Sequence, residues 1–592
     1  MDNQRNLILS VLLIGLVLFG WDAAVRYFYP QSDTPTERIE QVEKSEAGDA
    51  PKASREGGLS APADVAAERK TLAEALADGG RVPVDAPGLS GSINLTGAVV
   101  DDLVINDHRE SQDRDSGPVR IFSPSGTPAQ HFAQFGWVGT QADTPDADTV
   151  WQVAEGERLT PGSPVTLRWQ NGSGQVFSIK FSIDEDYMIT AQQTVANGGG
   201  EAVTVKPFAL INRTERTASL DSFNVHSGPL GTYDDAVEFG TDYDDVAEAD
   251  VVTNPGRTDW VGFTDVYWMS SLIPGDARAT SDFRSLGSSL FRADLLYGNV
   301  SVPSGKQFTR ITRLFAGAKE SAVLDQYEDG GISRFGMSID WGWFFWFEKP
   351  IFWLLRSLFH LVGNFGVAII LLTVIVRGVM FPIAQRGFAS MAAMRAVQPK
   401  MKAIQERYKD DKQKQQQEIM ALYKKEGVNP LSGCLPMLLQ IPVFFALYKV
   451  LILSIEMRHQ PFALWIKDLS APDPLLILNL FGLLPFTPPS FLAIGLLAVL
   501  LGVTMWLQFR LNPAPMDPVQ QQMFAIMPWV MMFIMAPFAA GLLVYWITSN
   551  ILTIAQQKYL YSKHPQLREQ AQRDAEEREQ AREREKAAKA AK

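Results

Sequence analysis

The sequence predicts an α-helical polytopic membrane protein of six transmembrane helices, with one large all-β domain held outside the bilayer. Three observations carry this reading. The run LVGNFGVAIILLTVIVRGVMFPI, Leu361–Ile383, is long enough to cross a bilayer at about 1.5 Å per residue, and its one charge is Arg377. Charge is divided along the chain: residues 31–340 hold 47 acidic against 25 basic residues, a net of −22, while the remainder nets +10. Between about 90 and 320, short alternating segments recur (VTLRW, VFSIKFSI, YMITAQQTV, VTVKPFALINR), punctuated by Gly, Asn, Pro and Asp and free of long amphipathic helices. An acidic soluble block joined to a basic apolar one fits a membrane protein and argues against specific nucleic-acid binding.

The elements follow in order. Residues 1–29 read as an uncleaved transmembrane anchor: Leu7 to Phe19 is apolar, no small-residue cleavage site follows, and Trp21, Tyr27, Phe28 and Tyr29 form an aromatic collar. Residues 30–88, rich in Ala, Glu, Asp, Pro and Ser, read as a flexible tether. The all-β domain is placed at 89–335, and Tyr233–Asp250 within it, with eight carboxylates in eighteen residues but no calcium-loop spacing, reads as a solvated acidic segment. Residues 336–357 concentrate Trp341, Trp343, Trp346 and Trp353, the composition of a helix lying at the headgroup boundary. A second span follows at 358–384. Next comes a basic helical hairpin at 385–429, whose Met394, Val397, Met401, Ile404 and Tyr408 step as a short heptad seam.

A third span is predicted at 430–453, an outer loop at 454–488, a fourth span at 489–511 and an inner turn at 512–522. Two spans fill 523–561, and a basic inner tail fills 562–592. The charge bias of every loop then places both termini on the inner face. Within the outer loop, LLILNLFGLLPF is too short to span and reads as dipping into the interface. The single cysteine, Cys434, excludes an intrachain disulfide.

No catalytic constellation emerges. The six histidines are never spaced as metal-ligand pairs, and Gly305-Lys306 lacks the upstream glycine of a phosphate loop, so neither a metal nor a cofactor is expected. What recurs is polarity without chemistry: Thr373, Arg377, Gln440, Thr504, Gln508, Ser549 and Asn550 come from four apolar segments. Each alone fits an interhelical hydrogen bond worth roughly 0.6 kcal/mol. Together with an arginine that has no intramembrane Asp or Glu to neutralise it, they predict a hydrated cavity inside the bundle.

Four long collinear segments carry a family resemblance. IILLTVIVRGVMFPI (369–383), the hairpin and third-span run SMAAMRAVQPKMKAIQERYKDD through QIPVFFALYKVL (390–451), PFALWIKDLSAPDP (461–474) and GLLVYWITSNILTIAQQ (541–557) resemble the YidC/Oxa/Alb family of membrane protein insertases, in its Gram-negative form. The apolar insertion around Leu475–Pro489 departs from that pattern. The resemblance implies a periplasmic β-supersandwich and an inner-membrane core of five helices around a hydrophilic groove, open to the cytosol and to lipid. It assigns the groove's essential arginine to Arg377 and the neighbouring polar position to Thr373, and it places Gln440 and the Tyr545/Trp546 pair on substrate-contacting helices. It implies as partners nascent membrane-protein substrates, the Sec translocon (SecYEG) with SecDF, the ribosome and the phospholipid bilayer. Two other classes stay open at this level: a small-solute transporter or channel, which needs a pathway open alternately to both faces, and a carbohydrate enzyme in the β domain, which needs convergent acid and base residues.

Overall fold

The computed structural model describes residues 70–563, apart from breaks at 112–115, 140–142, 220–224, 255, 276, 288, 343–344, 410, 428–434, 487, 490–491 and 512–517. The expected N-terminal anchor, most of the tether, Cys434 and nearly all of the tail lie outside the described residues. The chain divides into two compact units, Met1–Ser338 and Ile339–Lys592.

The first unit is built from two antiparallel sheets, one of ten strands and one of nine. Period-two burial is what shapes them. In Gln175–Ile183 the residues Phe177, Ile179 and Phe181 are fully buried, while the intervening side chains are partly or fully exposed. Strand His131–Gly139 of the larger sheet pairs with Val203–Thr214, and Gln175–Ile183 of the smaller sheet pairs with Met188–Asn197. Aromatic pairs join the two sheets across the core: Phe135 meets Phe181 at 5.9 Å and Trp137 meets Phe177 at 5.2 Å, both edge to face. The domain begins earlier than residue 89. A Thr71/Glu74 capping box starts a helix, α1 (Leu72–Ala77), and strand Arg81–Asp85 pairs with Leu89–Asn94. The tether's Ala/Glu-rich composition hides both signals. Within the acidic segment, Asp242 caps a short helix, α2 (Tyr243–Ala249), which buries Tyr243 and Val246 and exposes its carboxylates. A third helix, α3 (Ser321–Asp329), follows the last strand.

The second unit is helical. Helix α4 (Phe345–Val362) buries Ile351, Phe352 and Leu355 and exposes Trp346 and Trp353. It extends past the expected end at 357. The break comes where Gly363 takes a left-handed conformation (φ +68°) and the Asn364 side chain accepts from Val367 N at 3.1 Å. Helix α5 (Phe365–Arg407) then runs unbroken through the expected boundary at 384/385, so the segments expected as the second span and the hairpin's first arm are one helix. Asp411 caps the return arm α6 (Lys412–Glu426), which ends at left-handed Gly427. Tyr423 OH meets Met401 Sδ at 3.0 Å, and Lys400 pairs with Glu426 at 2.7 Å.

Four elements complete the unit: α7 (Leu435–Leu453), α8 (Leu496–Leu511), α9 (Pro518–Met535) and α10 (Ala540–Lys563). Helix α8 starts seven residues after Pro489, the expected start. Asp473 accepts from Leu497 N at 2.7 Å and Leu475 O accepts from Leu496 N at 3.0 Å, fixing the N-terminus at Leu496. Among the described residues one helical stretch, Phe365–Gly387, has by itself the length and apolarity to cross a bilayer. Leu439–Leu453, Leu496–Arg510 and Gln522–Met535 are apolar but shorter.

Candidate functional site

The site is built where α5, α7, α8 and α10 meet. Arg377 lies about 18 Å along α5 from Phe365, near the middle of the apolar stretch ending at Gly387. Ser549 lies about 13 Å along α10 from Ala540. The half-buried guanidinium donates to the Ser549 hydroxyl through Nε at 3.1 Å and through a second, shorter bond from a terminal nitrogen. Among the described residues no carboxylate forms an ion pair with it. The side chain is turned toward α10.

Two further contacts tie the helices together. Gln440 on α7 donates to the Tyr545 hydroxyl on α10, and its own Oε1 is buried without a partner. Asn550 on α10 donates to Thr504 Oγ1 on α8 at 3.1 Å, and the Thr504 hydroxyl donates to Leu501 O at 3.0 Å. Gln508 Oε1 is likewise buried without a partner. Unmatched acceptors inside a bundle invite water or an incoming polar chain, since a desolvated carbonyl left alone costs about 1–3 kcal/mol. The arrangement can hold polar groups at membrane depth. It carries no pair of groups set for bond-making chemistry.

Two expected site residues sit differently. Thr373 is buried, and its hydroxyl donates to Ile369 O at 2.6 Å within its own helix, so it satisfies itself. Trp546 packs edge to face on Phe444 at 5.0 Å and contributes an apolar wall.

The end of the bundle where α10 begins is closed by contacts that the sequence did not announce. Ala540 N and Gly541 N donate to Ala471 O and Leu469 O at 2.8 and 2.9 Å. A Cβ at Gly541 would lie 2.8 Å from Leu451 Cδ2, 3.1 Å from Leu469 O and 3.4 Å from Ile369 Cδ1, so glycine here lets α10 approach α5, α7 and the outer loop together. Buried Asp473 gathers three donors: Leu475 N at 3.0 Å, Trp465 Nε1 at 3.0 Å and Leu497 N at 2.7 Å. Lys449 on α7 donates to Asp340 O at 2.9 Å. A lone lysine in PVFFALYKVLIL and a lone aspartate before a long uncharged run were the available signals.

Two family models match the chain: one described as a 60Kd inner membrane protein over residues 357–568, the other as a YidC periplasmic domain over residues 81–354. A membrane protein insertase YidC from Zymomonas mobilis is 42% identical over 567 residues, covering 95% of this chain and 96% of the relative. One from Nitrobacter hamburgensis is 42% identical over 587 residues, with 95% and 96% covered. A solved structure of an active YidC insertase with its first transmembrane domain is similar at a TM-score of 0.35 and 18% identity, covering 82% of this chain and 92% of that one. A galactose mutarotase related enzyme from Lactobacillus acidophilus matches 40% of the chain, covering 97% of its own length, at a TM-score of 0.29 and 9% identity. The chain belongs to the YidC family of membrane protein insertases.

Proposed function

We propose that this chain inserts newly made proteins into the bacterial inner membrane through a hydrated groove lined by Arg377, Ser549, Gln440, Tyr545, Asn550, Thr504 and Gln508. One observation carries the reading. At mid-bundle depth Arg377 is held by a hydroxyl on a neighbouring helix, with no acidic partner among the described residues. An arginine at the centre of a membrane helix costs roughly 3 kcal/mol or more, and a groove that retains water and attracts an anionic chain offsets that. The buried, unmatched oxygens of Gln440 and Gln508 support the same reading.

The mechanism needs no covalent step. Water in the groove shortens the hydrocarbon path that a substrate's polar tail must cross. The Arg377 charge draws a short acidic tail inward, and Trp546 and Phe444 give the following apolar helix a wall to slide along. That helix then partitions into lipid, where each leucine-like residue near its centre gains about 0.3–0.6 kcal/mol. Closure of the outer end by the Gly541 and Asp473 contacts keeps the groove from becoming a pore.

The proposal includes six spans with both termini in the cytosol and the β unit in the periplasm. Helices α7, α8 and α9 cross as short, neighbour-supported segments. It also takes the α5–α6 hairpin as the docking site for ribosomes, and the Sec translocon and SecDF as partners. The test is depletion of the protein in its host, followed by pulse-labelling of small membrane proteins with short translocated tails. Loss of their insertion is expected, and normal insertion after complete depletion overturns the assignment.

A further inference from the structure

We propose that the outer loop between α7 and α8 is a lipid wedge: its tip, Leu478–Phe486, is seated in the outer leaflet and supplies the apolar reach that α8 lacks. The starting observation is length. Helix α8 has 16 residues, about 24 Å, against a hydrocarbon core of about 30 Å. A shortfall of about 6 Å must be met by thinning the bilayer or by apolar groups beyond the helix end.

Those groups are present at the right end. The base of the loop is pinned to the start of α8 by the Asp473 carboxylate and by Ile477 N donating to Ile494 O at 3.0 Å. Beyond that base, Leu478, Leu480, Phe481, Leu483, Leu484 and Phe486 are between 41% and 82% exposed. The backbone holds them outward: Leu480, Phe481 and Gly482 take consecutive left-handed conformations (φ +50°, +62° and +91°), and Asn479 Oδ1 accepts from Gly482 N at 2.9 Å. Two non-glycine residues at positive φ in a row make a strained, fixed tip.

Three features select lipid as the occupant over a second protein. No charged residue occurs between Asp473 and Arg510, so the patch lacks the polar, charged rim that gives a protein interface its register. Helix α8 itself exposes Leu500, Val503 and Leu507, so the apolar character of the tip is shared by the helix it precedes. Finally, the segment from Leu475 to Phe486 is too short to cross the bilayer, so it enters one leaflet and returns.

The wedge rests on the proposed topology only for which leaflet it enters, and the experiment separates the two. Single cysteines at Leu483 and, independently, at Leu480 are placed in a Cys434→Ser background of the full chain and labelled with nitrobenzoxadiazole after reconstitution into phosphatidylethanolamine/phosphatidylglycerol vesicles. Both positions are exposed, so the label displaces no packing. A cysteine at exposed Ser173 in the β unit is the aqueous control. The wedge gives blue-shifted emission at 480 and 483, quenching by phospholipids with a nitroxide high on the acyl chain, and loss of the iodide quenching seen at 173. Iodide quenching equal to the control places the tip in water and overturns the wedge. Protection from both iodide and lipid nitroxide places it under protein and overturns it equally. Dithionite added to sealed vesicles of known orientation reads the leaflet: lipid contact reached first from the cytosolic side leaves the wedge standing and overturns the topology.

Discussion

Replacing Asp473 perturbs the contact that fixes where α8 begins. Its carboxylate is 3% exposed, and it accepts from Leu475 N and Trp465 Nε1 through one oxygen and from Leu497 N through the other. Leu497 N is one of the unpaired donors of the first turn of α8, at the positive end of the helix dipole. A hydrogen bond to a charged acceptor contributes about 1.5–3 kcal/mol. Asp473→Asn retains an acceptor for Leu475 and Trp465 but turns an amide N–H toward Leu497 N–H, so it should lose about 1.5–3 kcal/mol, one such bond. Asp473→Ala orphans all three donors. Relaxation of the loop and hydration of the Trp465 edge hold the loss to about 3–5 kcal/mol, the range for removing a buried charged partner. The assay is denaturant unfolding of the reconstituted protein followed by cysteine accessibility on α8. A parallel impermeant thiol probe at Ser549→Cys should also gain reactivity from the outer face in the alanine variant, because the same loop closes the groove. Both variants unfolding at the parental midpoint would refute the capping role.

Three further outcomes follow from particular contacts. Tyr545→Phe removes the partner of Gln440 Nε2 and leaves both polar atoms of that amide unmatched, a cost of about 1–3 kcal/mol. Gln440→Leu combined with Tyr545→Phe should recover most of that stability while still losing insertion, which a double-mutant cycle with an insertion assay measures. Gly541→Val drives a branched side chain into the Leu469 carbonyl and the Leu451 side chain, so it should displace α10 and reduce insertion of every substrate alike, whatever the charge of its tail. In the β unit, His131 is buried with Nε2 against Ser270 Oγ at 2.8 Å, and burial, reinforced by the nearby Arg213, holds its pKa well below the usual histidine range. The unfolded chain therefore binds a proton that the folded one refuses as pH falls below about 6.5, and stability should drop there by up to about 1.4 kcal/mol per pH unit. Thermal melts of the β unit's near-ultraviolet signal across pH 5–8 check this, and His131→Gln should flatten the slope.

Much of this was legible in the residues, for identifiable reasons. Alternation in VFSIKFSI and VTVKPFALINR gives strands because a pleated segment buries every second side chain, and those segments pair as the sheets require. Arg377, Ser549, Asn550, Gln440 and Thr504 stand out because polar groups are rare in apolar helices, and the fold joins Arg377 to Ser549, Asn550 to Thr504 and Gln440 to Tyr545. Boundaries were less legible. Composition changes from apolar to basic after residue 384, but no cap residue or glycine stops the helix there, so α5 continues as one helix through it, whereas the break at Gly363–Asn364 is a local capping event inside an apolar run. The start of α8 depends on Asp473, more than twenty residues upstream, a long-range contact that no local window contains. Thr373 looked like a groove residue because it shares the Arg377 face, but a threonine hydroxyl in a helix has its own carbonyl one turn back within reach.

The most direct test of the central claim is the insertion rate of a substrate with an acidic translocated tail in Arg377→Ala and Arg377→Lys proteins, beside a matched substrate with a neutral tail. If Arg377 acts as a charge in a wet groove, the lysine variant retains substantial activity, since a point charge suffices. The alanine variant then loses the acidic-tailed substrate far more than the neutral one. If Arg377 only braces α5 against Ser549, both substrates fall together. An Arg377→Ala protein that inserts the acidic-tailed substrate at the parental rate contradicts the groove mechanism outright, because removing an unneeded intramembrane charge relieves a cost of a few kcal/mol.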